Sequence, residues 1–204
     1  AMVEGNPAQN GYGAACKLGN FLMSPMNAFG TALVSFNAQN LGAREYGRIR
    51  RGTLQATLMM SVFYVVLAGS GLLLTINGAY LRLFLSADKI TERSLTFGNC
   101  YLYVALSLYF ILGVLFVWRS AAQGIEKPQF TLLAGTAELV ARILVCFLLP
   151  TAVNGGEINS EASLSSYIAL CFADPAAWLA SVLALTYHFV KYICLERYKI
   201  KADA

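Results

Sequence analysis

Charged side chains are nearly absent from five long tracts of this 204-residue chain. The tracts are 18–43, 52–81, 94–118, 129–150 and about 162–190. The first three carry no charge, the fourth holds only Glu138 and Arg142, and the fifth is broken by Asp174. Because about 20 helical residues cross the apolar core of a bilayer, each tract is long enough to span it. The sequence therefore predicts an all-α fold, a polytopic membrane helical bundle with about five transmembrane helices.

The composition favours the same class. Apolar residues make up 57% of the chain and charged residues 13%, whereas soluble domains average roughly 25% charged. The apolar residues also form continuous blocks and do not alternate in segments of about ten, which argues against a transmembrane β-barrel. We place the five spans at about 12–41, 52–75, 95–122, 128–150 and 165–192.

A line of uncharged polar side chains runs along the first span. Its members recur every three or four residues and so fall on one face of an α-helix. They are Asn20, Ser24, Asn27, Thr31, Ser35 and Gln39. A helix face turned wholly to lipid has no use for amides and hydroxyls, so this face meets other helices or a wet cavity. Hydrogen bonding between helices and lining of a substrate cavity both remain open.

Two spans carry acidic residues. Glu138 and Arg142 lie four residues apart, on one helical face of the fourth span. A lone charge at that depth costs about 3 kcal/mol or more, so the two side chains are expected to neutralise each other. Glu138 is then either a protonation or coupling site or half of a structural pair, and a close guanidinium favours the structural pair because it keeps a carboxylate ionised. Asp174, next to Pro175, is read as a helix cap in preference to an ion ligand.

Several other functions find no support in the sequence. It holds no glycine-rich phosphate loop and no nucleophile–base pair, so we do not expect an enzyme. The five scattered cysteines and His188 lack the spacing of metal ligands, and we expect neither metal nor cofactor. The net charge of +4 does not indicate a nucleic-acid partner, because the basic cluster at 44–51 follows the end of a span.

Basic residues predict the orientation in the membrane. If five spans alternate, ten lysines and arginines fall on one side: Arg44, Arg48, Arg50, Arg51, Arg119, Lys127, Lys191, Arg197, Lys199 and Lys201. The positive-inside rule places that side, and with it the C-terminus, in the cytoplasm. Residue 1 would then begin outside, which predicts that at least one preceding span is missing from residues 1–204.

Four motifs together resemble the second lobe of the multidrug and toxic compound extrusion (MATE) family. The first joins residues 25–32, PMNAFGTA, to 38–43, AQNLGA. The others are RSAAQG at 119–124, ELVAR at 138–142 and DPAAW at 174–178. The resemblance covers about residues 8–193.

The resemblance implies helices eight to twelve of a twelve-helix exporter built from two six-helix lobes. Such a protein lies in the bacterial inner (plasma) membrane and exchanges H⁺ or Na⁺ for small organic cations in a cleft between the lobes. Residues 1–204 would be a partial C-terminal lobe, with the N-terminal lobe as its missing partner. Sodium-coupled relatives carry an acidic residue on the tenth helix, but the matching position near Leu112–Gly113 is apolar here. Ion coupling would then rest on the other lobe.

Two alternatives to an exporter remain. One is a lipid-linked saccharide flippase of the same superfamily, whose cavity would need several intramembrane arginines or lysines to bind phosphate. Only Arg142 meets that requirement, and it is expected to pair with Glu138. The other alternative is a membrane subunit that does not transport and needs no cavity.

Overall fold

The computed structural model of the chain describes residues 6–155 and 164–195. This part of the chain is helical almost throughout and contains no β-strand. Its α-helices are α1 (Pro7–Gly42), α2 (Tyr46–Thr75), α3 (Ala79–Phe84), α4 (Glu92–Gly124), α5 (Pro128–Asn154), α6 (Leu164–Cys171) and α7 (Ala173–His188). Short 3₁₀ turns at Ile76–Gly78 and Ala87–Lys89 flank α3, and a π-helical segment, Phe189–Cys194, continues α7.

Four helical segments of the described chain are long and apolar enough to cross a membrane. They are Tyr46–Phe84, Glu92–Gly124, Pro128–Asn154 and Leu164–Cys194. The prediction of an all-α membrane bundle is confirmed. Helix α1 has the length, at 36 residues, but its amides and hydroxyls lower its hydropathy, so its crossing remains a prediction. The basic tail residues Arg197, Lys199 and Lys201 lie outside the described residues.

Local hydrogen bonds fix both ends of α4. At its start Thr91 and Ser94 form a reciprocal cap, in which each backbone N–H donates to the other hydroxyl at 2.9 and 3.1 Å. At its end the Lys127 N–H donates to the Ala122 carbonyl at 2.9 Å, while Glu126 adopts a left-handed φ of 58°. This closing turn satisfies a terminal carbonyl and lets α5 begin at once.

The chain divides into two compact units. The first contains the chain up to Ser24, Val65–Tyr109 and Ile143–Pro175. Aromatic contacts organise it: the Tyr12 and Tyr101 rings meet edge to face with centroids 4.9 Å apart. The second contains Pro25–Tyr64, Phe110–Arg142 and the chain from Ala176. A core cluster of this second unit consists of Ile49, Ala121, Ile125, Phe189 and Ile193.

Candidate functional site

All six residues of the polar line on α1 are exposed in the described structure. They are Asn20, Ser24, Asn27, Thr31, Ser35 and Gln39. Several apolar side chains of the same helix are buried, with Leu22 and Leu33 6% exposed and Met26 fully buried, although Phe21 and Phe36 are exposed. Helix α1 therefore turns its polar face outward, which is the opposite of what lipid contact favours.

Part of this line borders a groove in the second unit. The groove has a volume of about 340 Å³ and lies between α1 and α4. Its polar lining is Asn27, Thr31, Arg119, Ser120 and Gln123, and Gly30, Val34 and Phe116 complete it. A Cβ at Gly30 would come within 2.8 Å of the Ser120 Oγ, so the missing side chain is what allows this close approach of the two helices.

The hydroxyls of the line donate to their own helix. Thr31 Oγ1 donates to the Asn27 carbonyl at 2.9 Å, and Ser35 Oγ donates to the Thr31 carbonyl at 3.2 Å. Each hydroxyl proton is thus used inside α1, while the oxygen lone pairs remain able to accept. The exposed hydroxyl edge of α1 is consequently an acceptor surface.

A charge network joins α4, α5 and α7 behind the groove. Arg142 Nη2 lies 3.1 Å from Glu138 Oε1, and Arg119 Nη2 lies 2.5 Å from Glu138 Oε2. The same Arg119 nitrogen donates to Ser181 Oγ at 3.0 Å, and Ser181 Oγ donates to the Ala134 carbonyl at 2.9 Å. One carboxylate is therefore shared by two guanidiniums, and Arg119 connects it to the groove wall.

Arg119 and Asn37, which are not among the site candidates from the sequence, take part in contacts between helices. Arg119 is one of the basic residues that predict the cytoplasmic side, and it lies inside both the predicted third span, about 95–122, and α4. Asn37 lies off the polar line and is fully buried, and its Nδ2 donates to the buried Thr53 Oγ1 at 3.1 Å. The sequence holds no local signal for the contact of Arg119, since Glu138 lies 19 residues further along the chain on another helix.

Asp174 takes part in a separate cluster of the first unit. Tyr101 Oη donates to Asp174 Oδ2 at 3.0 Å. The carboxylate lies in the first turn of α7, where the helix dipole favours a negative charge. These contacts accord with a structural role at the start of α7.

The exposed faces of α2 and α5 differ in kind from that of α1. The large apolar side chains exposed there include Leu58, Met59, Val62, Val65, Val66, Leu132, Leu139, Leu144, Phe147 and Leu148. Such faces suit contact with acyl chains. The polar face of α1 therefore belongs to a different environment.

We expect water to reach Thr31 in the membrane. After replacement of the native Cys16, Cys100, Cys146, Cys171 and Cys194, Thr31→Cys should react with a charged maleimide in permeabilised membranes much faster than Leu139→Cys. Leu139 is the matched control because it is 56% exposed on the apolar face of α5. Equal rates would show that Thr31 contacts lipid, contrary to this expectation.

The fold and the groove together define the class: an all-α polytopic membrane protein with an uncharged polar face on one helix. The family model MatE matches residues 5–148. The chain belongs to the MatE family, which is a family of transporters. No curated protein and no solved structure matches the chain. The match includes three of the four motifs, namely those on α1, α4 and α5, and ends before Asp174.

Proposed function

We propose that this chain is the second lobe of a secondary active exporter, an antiporter that moves organic cations or drugs out of the cell in exchange for H⁺ or Na⁺. One observation carries the proposal: within the second unit α1 exposes a line of amides and hydroxyls, whereas α2 and α5 expose mainly apolar side chains. The line there consists of Asn27, Thr31, Ser35 and Gln39. Amide groups that face hydrocarbon without partners cost free energy, and hydroxyls that already donate to their own helix still present unpaired acceptor lone pairs. The polar face therefore borders a water-filled cleft, whose other wall is the first lobe.

The chemistry of that face suits organic cations as a class but does not identify a particular substrate. Its side chains are uncharged, and the hydroxyls of Thr31 and Ser35 present acceptor oxygens. Several weak, equivalent contacts allow ligands of different shape to bind, as a multidrug exporter requires. Membership of the MatE family supports the same conclusion.

We assign the coupling ion to the first lobe. The position near Leu112–Gly113 has no carboxylate, and Leu112 is buried. A Cβ at Gly113 would collide with the Tyr64 ring. Glu138 already binds two guanidiniums, one through each carboxylate oxygen, so both oxygens are engaged in the charge network. The C-terminus would lie in the cytoplasm, in line with the basic residues at 44–51.

A lipid-linked saccharide flippase is the second candidate, and Arg119 is the observation that favours it. The groove wall carries the Arg119 guanidinium, so the structure holds a second arginine inside the helices besides Arg142. Guanidiniums bind phosphate well. The two functions separate by substrate: an exporter moves a water-soluble dye against its gradient, whereas a flippase moves a lipid-linked phosphate between leaflets.

Thr31→Val tests the exporter directly. In proteoliposomes that hold the protein with both lobes, ion-gradient-driven export of a rhodamine dye should fall about fivefold, the effect of one lost hydrogen bond of about 1 kcal/mol. The control is Thr136→Val on α5, whose exposed hydroxyl makes the same bond to its own helix at 3.0 Å. Equal export by both variants and the unaltered protein would show that Thr31 takes no part in transport, and no gradient-driven export by any of them would favour a subunit that does not transport.

A further inference from the structure

The groove between α1 and α4 has an unexpected charge for a cation exporter. Among the residues that line it, the one charged side chain is Arg119, and none is a carboxylate. A bare organic cation would meet a like charge there. The groove therefore does not hold the cationic end of a substrate.

The charge of Arg119 is only partly neutralised. Its partner Glu138 is 18% exposed and also binds Arg142, so one negative charge serves two positive ones. The Arg119 Nε is buried without a hydrogen-bond partner in the described part of the chain. In a site that is partly shielded from water, electrostatic attraction to such a guanidinium exceeds its value in bulk water.

Neutral donors surround this charge. Asn27 and Gln123 each carry an amide NH₂, and Ser120 carries a hydroxyl that can donate. The volume of about 340 Å³ is at the lower end of ligand pockets, which span roughly 300–1,000 Å³. It is large enough for one functional group and the ring that carries it.

We propose that the groove is a subsite for an anionic oxygen group, in particular the carboxylate of a zwitterionic substrate, and that Arg119 determines this specificity. The inference rests on the proposed export function and names a substrate class for it. The cationic end of the same substrate lies outside the groove, along the acceptor face of α1. Substrates that carry a carboxylate are thereby distinguished from cations that lack one.

Two rhodamines form a matched pair of probes. Rhodamine 110 carries a free carboxylate, and rhodamine 123 is the same dye with that group as a methyl ester. Fluorescence polarisation with the chain in nanodiscs of neutral lipid should show rhodamine 110 binding about tenfold more tightly, as hydrogen bonds to a charged group predict. Equal affinities would overturn the inference.

Two variants assign the preference to the groove. Arg119→Gln should abolish it, whereas Arg142→Gln should only weaken it, because Glu138 then neutralises Arg119 alone while the Arg119 guanidinium still lines the groove. If Arg119→Gln does not fold, Asn27→Asp serves as the test variant in its place, because Asn27 is exposed and lies outside the charge network. An added carboxylate should reverse the preference in favour of rhodamine 123, and an unchanged preference would contradict the inference.

The binding assay also distinguishes a lipid phosphate from a small-molecule carboxylate. Combined with an export assay, it tests the subsite and the exporter separately. Displacement of rhodamine 110 by phosphatidylglycerol in the nanodisc would assign the groove to a lipid phosphate and overturn the small-molecule subsite. Gradient-driven export without a preference between the dyes would also refute the subsite, while leaving the exporter intact. A preference in binding without any gradient-driven export would support the subsite and contradict the proposed function.

Discussion

Replacing Glu138 with leucine is expected to lower the free energy of unfolding in detergent by about 3 kcal/mol. The carboxylate binds Arg119 at 2.5 Å and Arg142 at 3.1 Å, and its removal leaves two neighbouring guanidiniums without a counter-charge. Half-buried like charges then repel each other across α4 and α5 in a medium of low dielectric constant. Chemical denaturation followed by circular dichroism measures the loss.

Arg142→Met is the matched control for this result. It also removes one charge from the network, but Glu138 keeps its shorter bond to Arg119. Because the Arg142 side chain is 40% exposed, we expect a loss of about 1 kcal/mol. If both variants lose the same stability, Glu138 is not the shared centre of the network and the interpretation is wrong.

Replacing Gly124 with alanine is expected to destabilise the protein by about 2 kcal/mol. A Cβ there would lie 2.7 Å from the Asn37 Cβ and 2.8 Å from the Val34 carbonyl oxygen on α1. The second of these is a backbone atom, so the clash cannot be relieved by a rotamer change and the helices must separate. The apparent melting temperature in detergent should fall accordingly.

Gly135→Ala provides the comparison. Gly135 lies inside α5, and nothing is within 4 Å of an added Cβ. Alanine is the better helix former, so stability should stay constant or rise by up to about 1 kcal/mol. A similar loss at both positions would mean that helix packing at Gly124 is not the cause.

The polar line shows what a helical period can reveal. Residues three or four apart share a face whatever the neighbouring helices are, and in the structure all six side chains from Asn20 to Gln39 are exposed. The sequence could not say which environment that side meets, because amides and hydroxyls serve helix contacts and cavities equally well. In the structure Asn37, which lies off the line, makes a buried hydrogen bond from α1 to Thr53 on α2.

The charge network includes a contact that residue spacing along the sequence is insufficient to predict. Glu138 and Arg142 are one turn apart, and that local relation is visible in the sequence. Arg119 precedes Glu138 by 19 residues on a different helix, and only the packing of α4 against α5 brings them together. Its role was hidden because a basic residue near a predicted loop is already explained by topology.

Hydrophobic content and helical period by themselves determined that this chain is an all-α membrane protein and which side of α1 is polar, because both depend on residues close in sequence. The tertiary structure alone decided that Arg119 shares Glu138, that Gly30 and Gly124 allow α1 and α4 to approach, and that a groove with one guanidinium lies between them. These features depend on distances between helices, which no pattern along a single helix records.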